Sequence, residues 1–264
     1  MGIAKPPFPS LLIPGHPLSP DMGCWLMNEG SGGTVHDISG RGNNGTLTSM
    51  ESSDWIVKPP GWCLDFETDD RVKVPYQSSL FANNMTVVFA CRSDITDYSS
   101  NAYVVSMYDY AGGNRMWGVI VLAATDLWTV IASDDGSQND AYSSSVSVAD
   151  SWQTFAFVVD NANHLWDMYH NGVYVETLDP NYTYADQGSF LTIGGLDASG
   201  NSFNGQIAYV NIYGRSLAAS EISSLNAFPY QMVWQPTNIA YFVGAAAASI
   251  VPGLMSQYRR RRVA

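Results

Sequence analysis

Alternation of apolar and polar residues predicts β-strands through the middle of the chain. Residues 154–159 (TFAFVV) are apolar on both alternating faces, which predicts a strand buried on both sides. Residues 164–170 (HLWDMYH) alternate polar and apolar side chains, and Asn171-Gly172 then favours a type I′ hairpin turn into residues 173–176. Comparable runs at 72–74, 85–90, 114–123 and 128–132 predict further strands.

One short helix is predicted after these strands. Ser216 suits the N-cap position, and Leu217, Ile222 and Leu225 fall roughly on one face of the segment that follows. Many short strands with a single helix predict two packed antiparallel sheets.

The charge distribution restricts the partners of such a domain. Charged residues make up 14% of the 264 residues, and the formal net charge is −12. Because phosphate binding needs clustered Lys and Arg, this charge argues against nucleic acid as a partner. Glu221 is the last acidic residue, and without Arg259, Arg260, Arg261 and Arg262 the formal charge is −16. This asymmetry predicts that the C-terminal segment contacts something that the rest of the chain does not.

The most distinctive motif is CWLMNEGSGGTVHDISGRGNNGTL (24–47), in which a glycine-rich loop connects two strands. Glu29, Asp37, Ser39 and Asn43 contribute side-chain oxygens to this loop. Three later stretches follow in order: CLDFETDDRVKVP (63–75); SWQTFAFVVD (151–160) with HNGVYVET (170–177); and FLTIGG (190–195) with FNGQIAYVNIYGRSLAASEI (203–222). Together they resemble laminin-G-like domains of the concanavalin A-like lectin/glucanase superfamily. The resemblance covers roughly residues 22–228 and implies an all-β jelly-roll sandwich of two antiparallel sheets with one short helix.

Three segments are predicted from this coverage. Residues 1–21 form a Pro-rich N-terminal arm, residues 22–228 form the laminin-G-like jelly-roll domain, and residues 229–264 form an apolar C-terminal tail that ends in arginines. The two arms, with GHPL (15–18) and AFPYQMV (227–233), also resemble laminin-G-like proteins of tailed phages, which implies a virion structural or decoration protein.

The cysteines are predicted to be reduced and buried. The chain has an odd number of cysteines, which are Cys24, Cys63 and Cys91, and each has apolar neighbours in the sequence. Both features are typical of small core residues rather than of a disulfide framework. A bridge between Cys24 and Cys63 is the alternative.

Calcium is the one cofactor that the resemblance suggests, because many domains of this superfamily bind it. Asp37 and Asn43 stand where the family pattern would supply oxygens. The alternative is that both side chains only cap the turn. The family pattern usually places Asp or Glu at position 208, and Ala208 removes that carboxylate.

A catalytic role is not expected. Glucanases of the superfamily use an E-x-D-x-E array, whose side chains alternation places on one sheet face. The nearest stretch here keeps Asp65 and Glu67 but has Cys63 in place of the first acid. We therefore expect Asp65 and Glu67 to be solvated edge residues and the protein not to be an enzyme.

Ligand binding by loops suits this fold better. Sugar sites combine an aromatic ring with amides, carboxylates and backbone groups. The loops near 94–101, 109–115, 134–143 and 181–187 carry such residues, which are Tyr98, Tyr110, Asn114, Tyr142, Tyr182 and Tyr184. The alternative for each tyrosine is that it buries its ring at a strand end and binds no ligand.

The C-terminal segment has two interpretations. Residues 239–255 carry no charge and precede the four arginines, so they resemble a membrane anchor with a cytoplasmic cationic end. Their helical length of roughly 26 Å is short for a hydrocarbon core of about 30 Å. The other interpretation is an assembly arm whose Arg259–Arg262 contact the acidic body of the next subunit.

These observations predict a non-enzymatic virion structural or decoration protein, homo-oligomeric, whose loops bind host-surface glycans. One alternative is a bacterial cell-surface carbohydrate-binding protein held by its C-terminal helix, and a weaker one is a glycoside hydrolase. The sequence identifies neither the glycan nor the symmetry of the assembly.

Overall fold

The structure is a computed structural model that describes residues 4–59, 61–137, 139–196 and 201–234. In chain order its strands are β1 (Leu11–Leu12), β2 (Gly23–Trp25), β3 (Thr34–Val35), β4 (Gly45–Thr48), β5 (Trp55–Lys58), β6 (Gly61–Phe66), β7 (Arg71–Val74), β8 (Asn84–Ser93), β9 (Ala102–Asp109), β10 (Asn114–Leu122), β11 (Leu127–Ala132), β12 (Asp140–Ser147), β13 (Gln153–Asp160), β14 (Leu165–His170), β15 (Val173–Leu178), β16 (Leu191–Ile193), β17 (Gly205–Tyr213) and β18 (Val233–Trp234). The α-helix of the described residues is α1 (Ala219–Ala227).

Two large antiparallel sheets dominate the architecture. Sheet I has the strand order β12-β11-β10-β9-β16-β7-β4-β3. Sheet II has the order β15-β14-β13-β8-β17-β6-β5, and β2 also pairs with β17. The predicted jelly-roll sandwich with one short helix is therefore confirmed.

The core between the sheets explains why these segments form strands. Alternate side chains of each strand point inward, and aromatic rings from both sheets fill the space between them. Trp128 of sheet I packs on Phe155 of sheet II with ring centroids 4.2 Å apart, and Phe89 lies 5.5 Å from Phe155. Burial of these large rings contributes to the hydrophobic stabilisation of the sandwich.

The outer face of sheet II is also covered. A second apolar cluster joins residues of this face, such as Val88, Ala156 and Tyr213, to Leu18 of the N-terminal arm and Ile222 of α1. The arm adds a small sheet of its own, in which Leu11 and Leu12 of β1 pair with β18. Strand β13 is therefore buried on both sides, as its sequence predicted.

The hairpin prediction is confirmed and the helix start is corrected. Asn171 and Gly172 have φ of 50° and 79°, as a type I′ turn requires, and they connect β14 to β15. The helix begins at Ala219 with Ala218 as N-cap, so the prediction of Ser216 as N-cap is wrong. Leu217 lies before the helix because its N–H donates to Thr86 Oγ1 at 3.0 Å and its side chain is buried.

All three cysteines are free and buried, which confirms the prediction of reduced core thiols and leaves Cys24 and Cys63 unbridged. Burial raises the pKa of each thiol. Such thiols are poor nucleophiles.

The C-terminal predictions concern residues that the structure does not describe. Residues 239–255 and the assembly residues Arg259, Arg260, Arg261 and Arg262 lie outside the described ranges. Tyr230, Met232 and Val233, which precede them, are buried against sheet II. Among the residues that the structure describes, no helix combines the length and apolar character needed to cross a membrane.

Candidate functional site

Three loops meet at one end of sheet I, and we call their surface the loop end. They are the β9–β10 loop (110–113), the β11–β12 loop (133–139, in which 138 is not described) and the β15–β16 loop (179–190). The Arg115 N–H donates to the Gly136 carbonyl at 3.3 Å, which joins the first two loops. Asn181 Nδ2 donates to Asp140 Oδ2 at 2.7 Å, which attaches the third loop to the start of β12.

Gly136 allows these loops to pack closely. Its φ is 79°, and a Cβ at this position would lie 2.4 Å from the Gly113 carbonyl oxygen and 3.4 Å from the Gln187 side chain. Only glycine combines this backbone conformation with this contact. The close contact fixes the position of residues that follow Tyr110.

Tyr110 is the most exposed of the predicted ligand residues at the loop end. Its side chain is 58% exposed, and the Arg115 guanidinium lies 4.2 Å from its ring centroid. Arg115 is in turn held by a hydrogen bond to the Ser137 carbonyl. The guanidinium therefore supports one face of the ring by a cation–π contact.

Arg115, Tyr108 and Asn139 were not among the ligand residues predicted from the sequence. Tyr108 pairs in register with Arg115, its ring centroid is 5.8 Å from the guanidinium, and its hydroxyl donates to Asn139 Oδ1 at 2.7 Å. Burial raises the pKa of Tyr108. A partial signal was available, because Gly112-Gly113 favours a turn before the predicted strand at 114–123, and a hairpin there would place Arg115 opposite Tyr108.

The other predicted ligand residues at this end occupy different positions. Asn114 is the first residue of β10. The side chains of Asn114 and Asp109 both lie beside Gly112. Tyr142 lies on β12, at the edge of sheet I, and is 43% exposed. Tyr182 is half-buried in the β15–β16 loop, next to the Asn181 that bonds Asp140.

Tyr98 and Tyr184 are placed in the core. Tyr184 is 2% exposed, and its hydroxyl donates to the Ala82 carbonyl at 2.7 Å. Tyr98 is 4% exposed, and its hydroxyl lies 2.7 Å from Ser93 Oγ. Tyr98 precedes β9 whereas Tyr110 follows it, so the eight-residue strand separates the two by roughly 26 Å. The structure thus brings together the positions near Tyr110 but not Tyr98.

The outer face of sheet I extends the loop end with small side chains. Registers place Lys73, Thr192, Ser106, Gly118 and Ile131 in one row across neighbouring strands. Ser106 Oγ and Thr192 Oγ1 lie 2.9 Å apart, and both residues are fully buried. Thr192, Ser106 and Gly118, in the middle of this row, have a small side chain or none.

Both oxygens of Asp37, in the suggested calcium site, already accept hydrogen bonds. Asp37 Oδ1 accepts the N–H groups of Cys24 (2.9 Å) and Ser39 (2.8 Å), and Oδ2 accepts Ser39 Oγ (2.8 Å) and the Asn43 N–H (2.9 Å). Both oxygens are surrounded by donors, which a cation would have to displace. Asn43 is buried and donates to the Met22 carbonyl at 2.8 Å. These hydrogen bonds are the ones that the turn-capping alternative predicts for Asp37.

Asp65 differs from its predicted environment. Asp65 is half-buried and pairs with Gln206 of β17, although the ladder between β5 and β6 ends at Leu64, whereas Glu67 is exposed beyond the end of β6. Asp65 Oδ1 and Asp94 Oδ2 both accept from the buried Gln206 Nε2, each at 2.5 Å. The correction arises because β17 pairs beside β6, which places Gln206 opposite Asp65.

A family model described as the concanavalin A-like lectin/glucanases superfamily, in its laminin-G form, matches residues 66–223. The chain belongs to this superfamily. The match spans more than half of the chain and includes the strands that surround the loop end. No curated protein matches the sequence.

Solved structures share the superfamily fold at low sequence identity. The receptor-binding domain of botulinum neurotoxin type G is 17% identical with a TM-score of 0.55, and the match covers 80% of this chain and 52% of that one. The binding domain of Paraclostridial Mosquitocidal Protein 1 is 16% identical with a TM-score of 0.58, over 80% and 52%. Trypanosoma rangeli sialidase, in complex with the inhibitor DANA, is 16% identical with a TM-score of 0.59, over 80% and 33%. The chain thus spans about half the length of the toxin domains and a third of the sialidase.

Proposed function

We propose that the protein is a non-catalytic, lectin-like module that binds glycans at the loop end. The observation that carries this proposal is the exposed Tyr110 ring, which is supported from one side by Arg115 at 4.2 Å. A ring held in this way offers its free face to the C–H groups of a sugar without first losing conformational freedom. The solved toxin structures with this fold are titled receptor-binding or binding domains, which supports a recognition role.

The charges around Tyr110 favour a neutral sugar. Asp109, Asp134, Asp135 and Asp140 lie in or beside the loops of this end, where Arg115 is the nearby cation of the described residues. A carboxylated sugar would approach mainly like charges, whereas hydroxyl groups can donate to the carboxylates. Asn114 and Asn139 add amide groups within the same loops.

Tyr110→Ala is the variant that tests this proposal. We expect it to weaken binding of neutral glycans by about tenfold or more, because the stacking surface is lost. The measurement is a glycan array, followed by calorimetric titration of the best ligand. Tyr174→Ala is the matched control, because Tyr174 is 50% exposed on β15 of sheet II. Equal affinity of the Tyr110→Ala and Tyr174→Ala variants would contradict the proposed site.

The proposed absence of catalysis rests on the carboxylates themselves. Asp65 and Asp94 both accept hydrogen bonds from the buried Gln206 Nε2, so these carboxylates are already engaged with a neighbouring amide. We expect no release of reducing sugar from any polysaccharide that the protein binds. Sustained release that is lost in Asp65→Asn would overturn this part of the proposal.

We also propose that the module belongs to an oligomeric virion protein. The support is the resemblance of both arms to laminin-G-like proteins of tailed phages, together with the separation of charge between the body and Arg259–Arg262. The apolar segment 239–255 supports a cell-surface anchor instead, and the behaviour of the C-terminal segment distinguishes the two.

A further inference from the structure

The side chain of Lys5 connects the N-terminal arm to sheet II. Its Nζ donates to three main-chain carbonyl oxygens, those of Met27 (3.1 Å), Trp62 (2.5 Å) and Ala208 (2.5 Å). An ammonium has three N–H donors, so each donor has one carbonyl acceptor. We call these three oxygens the carbonyl cage.

The cage arises where β17 changes its pairing partner. Residues 205–207 of β17 pair with β6, and residues 210–212 pair with β2. Ala208 lies between these two ladders, and the pairing with β8 has a register shift at the same point. Its carbonyl is therefore available to a group that is not a sheet neighbour, and Lys5 satisfies it.

Two further backbone features shape the cage around the lysine. Met27, just beyond β2, has φ of 45°, a left-handed conformation that is uncommon for this residue type. A Cβ on Gly61 would lie 2.9 Å from the Lys5 Cβ, so glycine leaves the room that the lysine stem occupies. Strand β6 is thus adapted to the presence of the arm.

A carboxylate balances the charge of the ammonium. The Glu29 side chain is 5% exposed, and its Oε1 accepts the His36 N–H at 2.7 Å. Its Oε2 is buried without a hydrogen-bond partner among the described residues. Burial lowers the pKa of Lys5 to about 7, and electrostatic interactions with Cys63 and Glu29 oppose that shift. The cage and Glu29 thus offset part of the cost of burying the ammonium.

Calcium would fit this cage less well than an ammonium does. It takes six to eight oxygen ligands at about 2.3–2.6 Å. The cage supplies three carbonyls, and the methyl group of Ala208 stands where the family pattern has a carboxylate. Three oxygens around one nitrogen match a lysine ammonium instead.

We propose that the carbonyl cage is a cation site that this chain fills with its own Lys5 ammonium in place of a metal ion, and that this contact fixes the N-terminal arm to the body. The site is independent of the loop end, which lies on sheet I.

Lys5→Met and Lys5→Ala test the proposal below pH 7, where Lys5 carries its proton. We expect limited proteolysis to cleave the arm about tenfold faster in Lys5→Met than in the unchanged protein, because three hydrogen bonds are lost. Lys58→Met is the matched control and should leave the cleavage rate unchanged. Equal cleavage of the Lys5→Met and Lys58→Met variants would overturn the proposal.

Chemical rescue identifies the class of ligand. In Lys5→Ala, n-propylammonium should restore the melting temperature and arm protection, whereas tetramethylammonium should not, because it has the charge but no N–H donor. Equal rescue by both ions would contradict a three-donor cage.

The unchanged protein provides a test that does not depend on folding of a variant. Its melting temperature should be the same in millimolar calcium and in a chelator, and an amine-acylating reagent should modify Lys5 more slowly than Lys58 and Lys73. Destabilisation by the chelator that calcium reverses, or equal modification of all three lysines, would overturn the proposal.

Discussion

Asp37 shows how a single side chain can organise the glycine-rich loop near the start of the domain. Its two oxygens accept four hydrogen bonds, from Cys24, from the N–H and hydroxyl of Ser39, and from Asn43. These donors belong to β2 and to both sides of the loop, so the carboxylate connects segments that the loop would otherwise separate. Asp37 therefore acts as a fixed structural anion.

We expect Asp37→Ala to lower the free energy of unfolding by about 2–4 kcal/mol, because several N–H groups would lose a charged acceptor. Asp135→Ala is the matched control, since Asp135 also accepts from a serine two residues later but lies in an exposed loop. It should cost about 1 kcal/mol or less. Urea unfolding measures both values, and an equally small loss in the two variants would show that Asp37 does not connect the segments.

Residue type alone could not separate the predicted tyrosines. Tyr110 and Tyr184 both stand among polar loop residues, yet one is 58% exposed and the other 2% exposed. The difference comes from Asn161, which accepts the Tyr184 N–H at 2.7 Å and draws that loop onto the core. Such a contact joins positions 23 residues apart, which no local pattern reveals.

Elements were predictable where the periodicity was strong. Strands β13, β14 and β15 and their hairpin follow from alternation and from Asn171-Gly172. The start of α1 was not predictable, because it depends on contacts with β8 rather than on the helix itself. Thr86 of β8 donates to the Arg215 carbonyl and accepts from Leu217, which keeps this segment extended until Ala218.

The beginning of α1 is stabilised by Glu221. Its carboxylate accepts from both terminal nitrogens of Arg215, at 2.7 and 2.8 Å, and from the Ala218 N–H at 2.8 Å. The hydrogen bonds from Arg215 lower the pKa of Glu221 below 4.5. Because the pKa is lower in the folded state, this contribution is present above pH 4.5 and is lost as the pH falls through the folded-state pKa.

We expect Glu221→Gln to lower the free energy of unfolding near neutral pH by about 0.5–1 kcal/mol, because the pair is partly exposed. The difference from the unchanged protein should shrink when unfolding is measured in acid. Glu51→Gln, at an exposed glutamate, serves as the control. A difference that stays constant from neutral pH to acid would mean that the charge of Glu221 contributes nothing.

For the whole molecule, the sequence motifs indicated the sandwich but not what covers it. The order of four motifs was enough to predict two antiparallel sheets, as the structure confirms. The position of the Pro-rich arm on sheet II was not predictable, because it depends on the pairing of β1 with β18 and on the contacts of Lys5 with three distant carbonyls. Lys5 and Ala208 are 203 positions apart in the sequence, and a contact between such distant residues is visible only in the folded chain.

The charge asymmetry of the chain leads to a prediction about assembly. A formal charge of −16 without Arg259–Arg262 gives each body a field that would attract those arginines from a neighbouring subunit. We expect the full chain to form a defined oligomer by light scattering without detergent, and a chain ending at Thr237 to be monomeric. Replacing all four arginines by glutamine should weaken the oligomer, and raised salt should do the same because it screens the contact.

The same measurement separates the virion interpretation from the membrane anchor. If the full chain is soluble only in detergent while the chain ending at Thr237 is soluble without it, residues 239–255 anchor the protein and the cell-surface alternative gains support. If both chains contain the same number of subunits in the absence of detergent, the C-terminal segment does not assemble subunits. We expect neither result to affect the proposed glycan site at Tyr110, because Tyr110 follows β9 of sheet I whereas Val233 packs on sheet II.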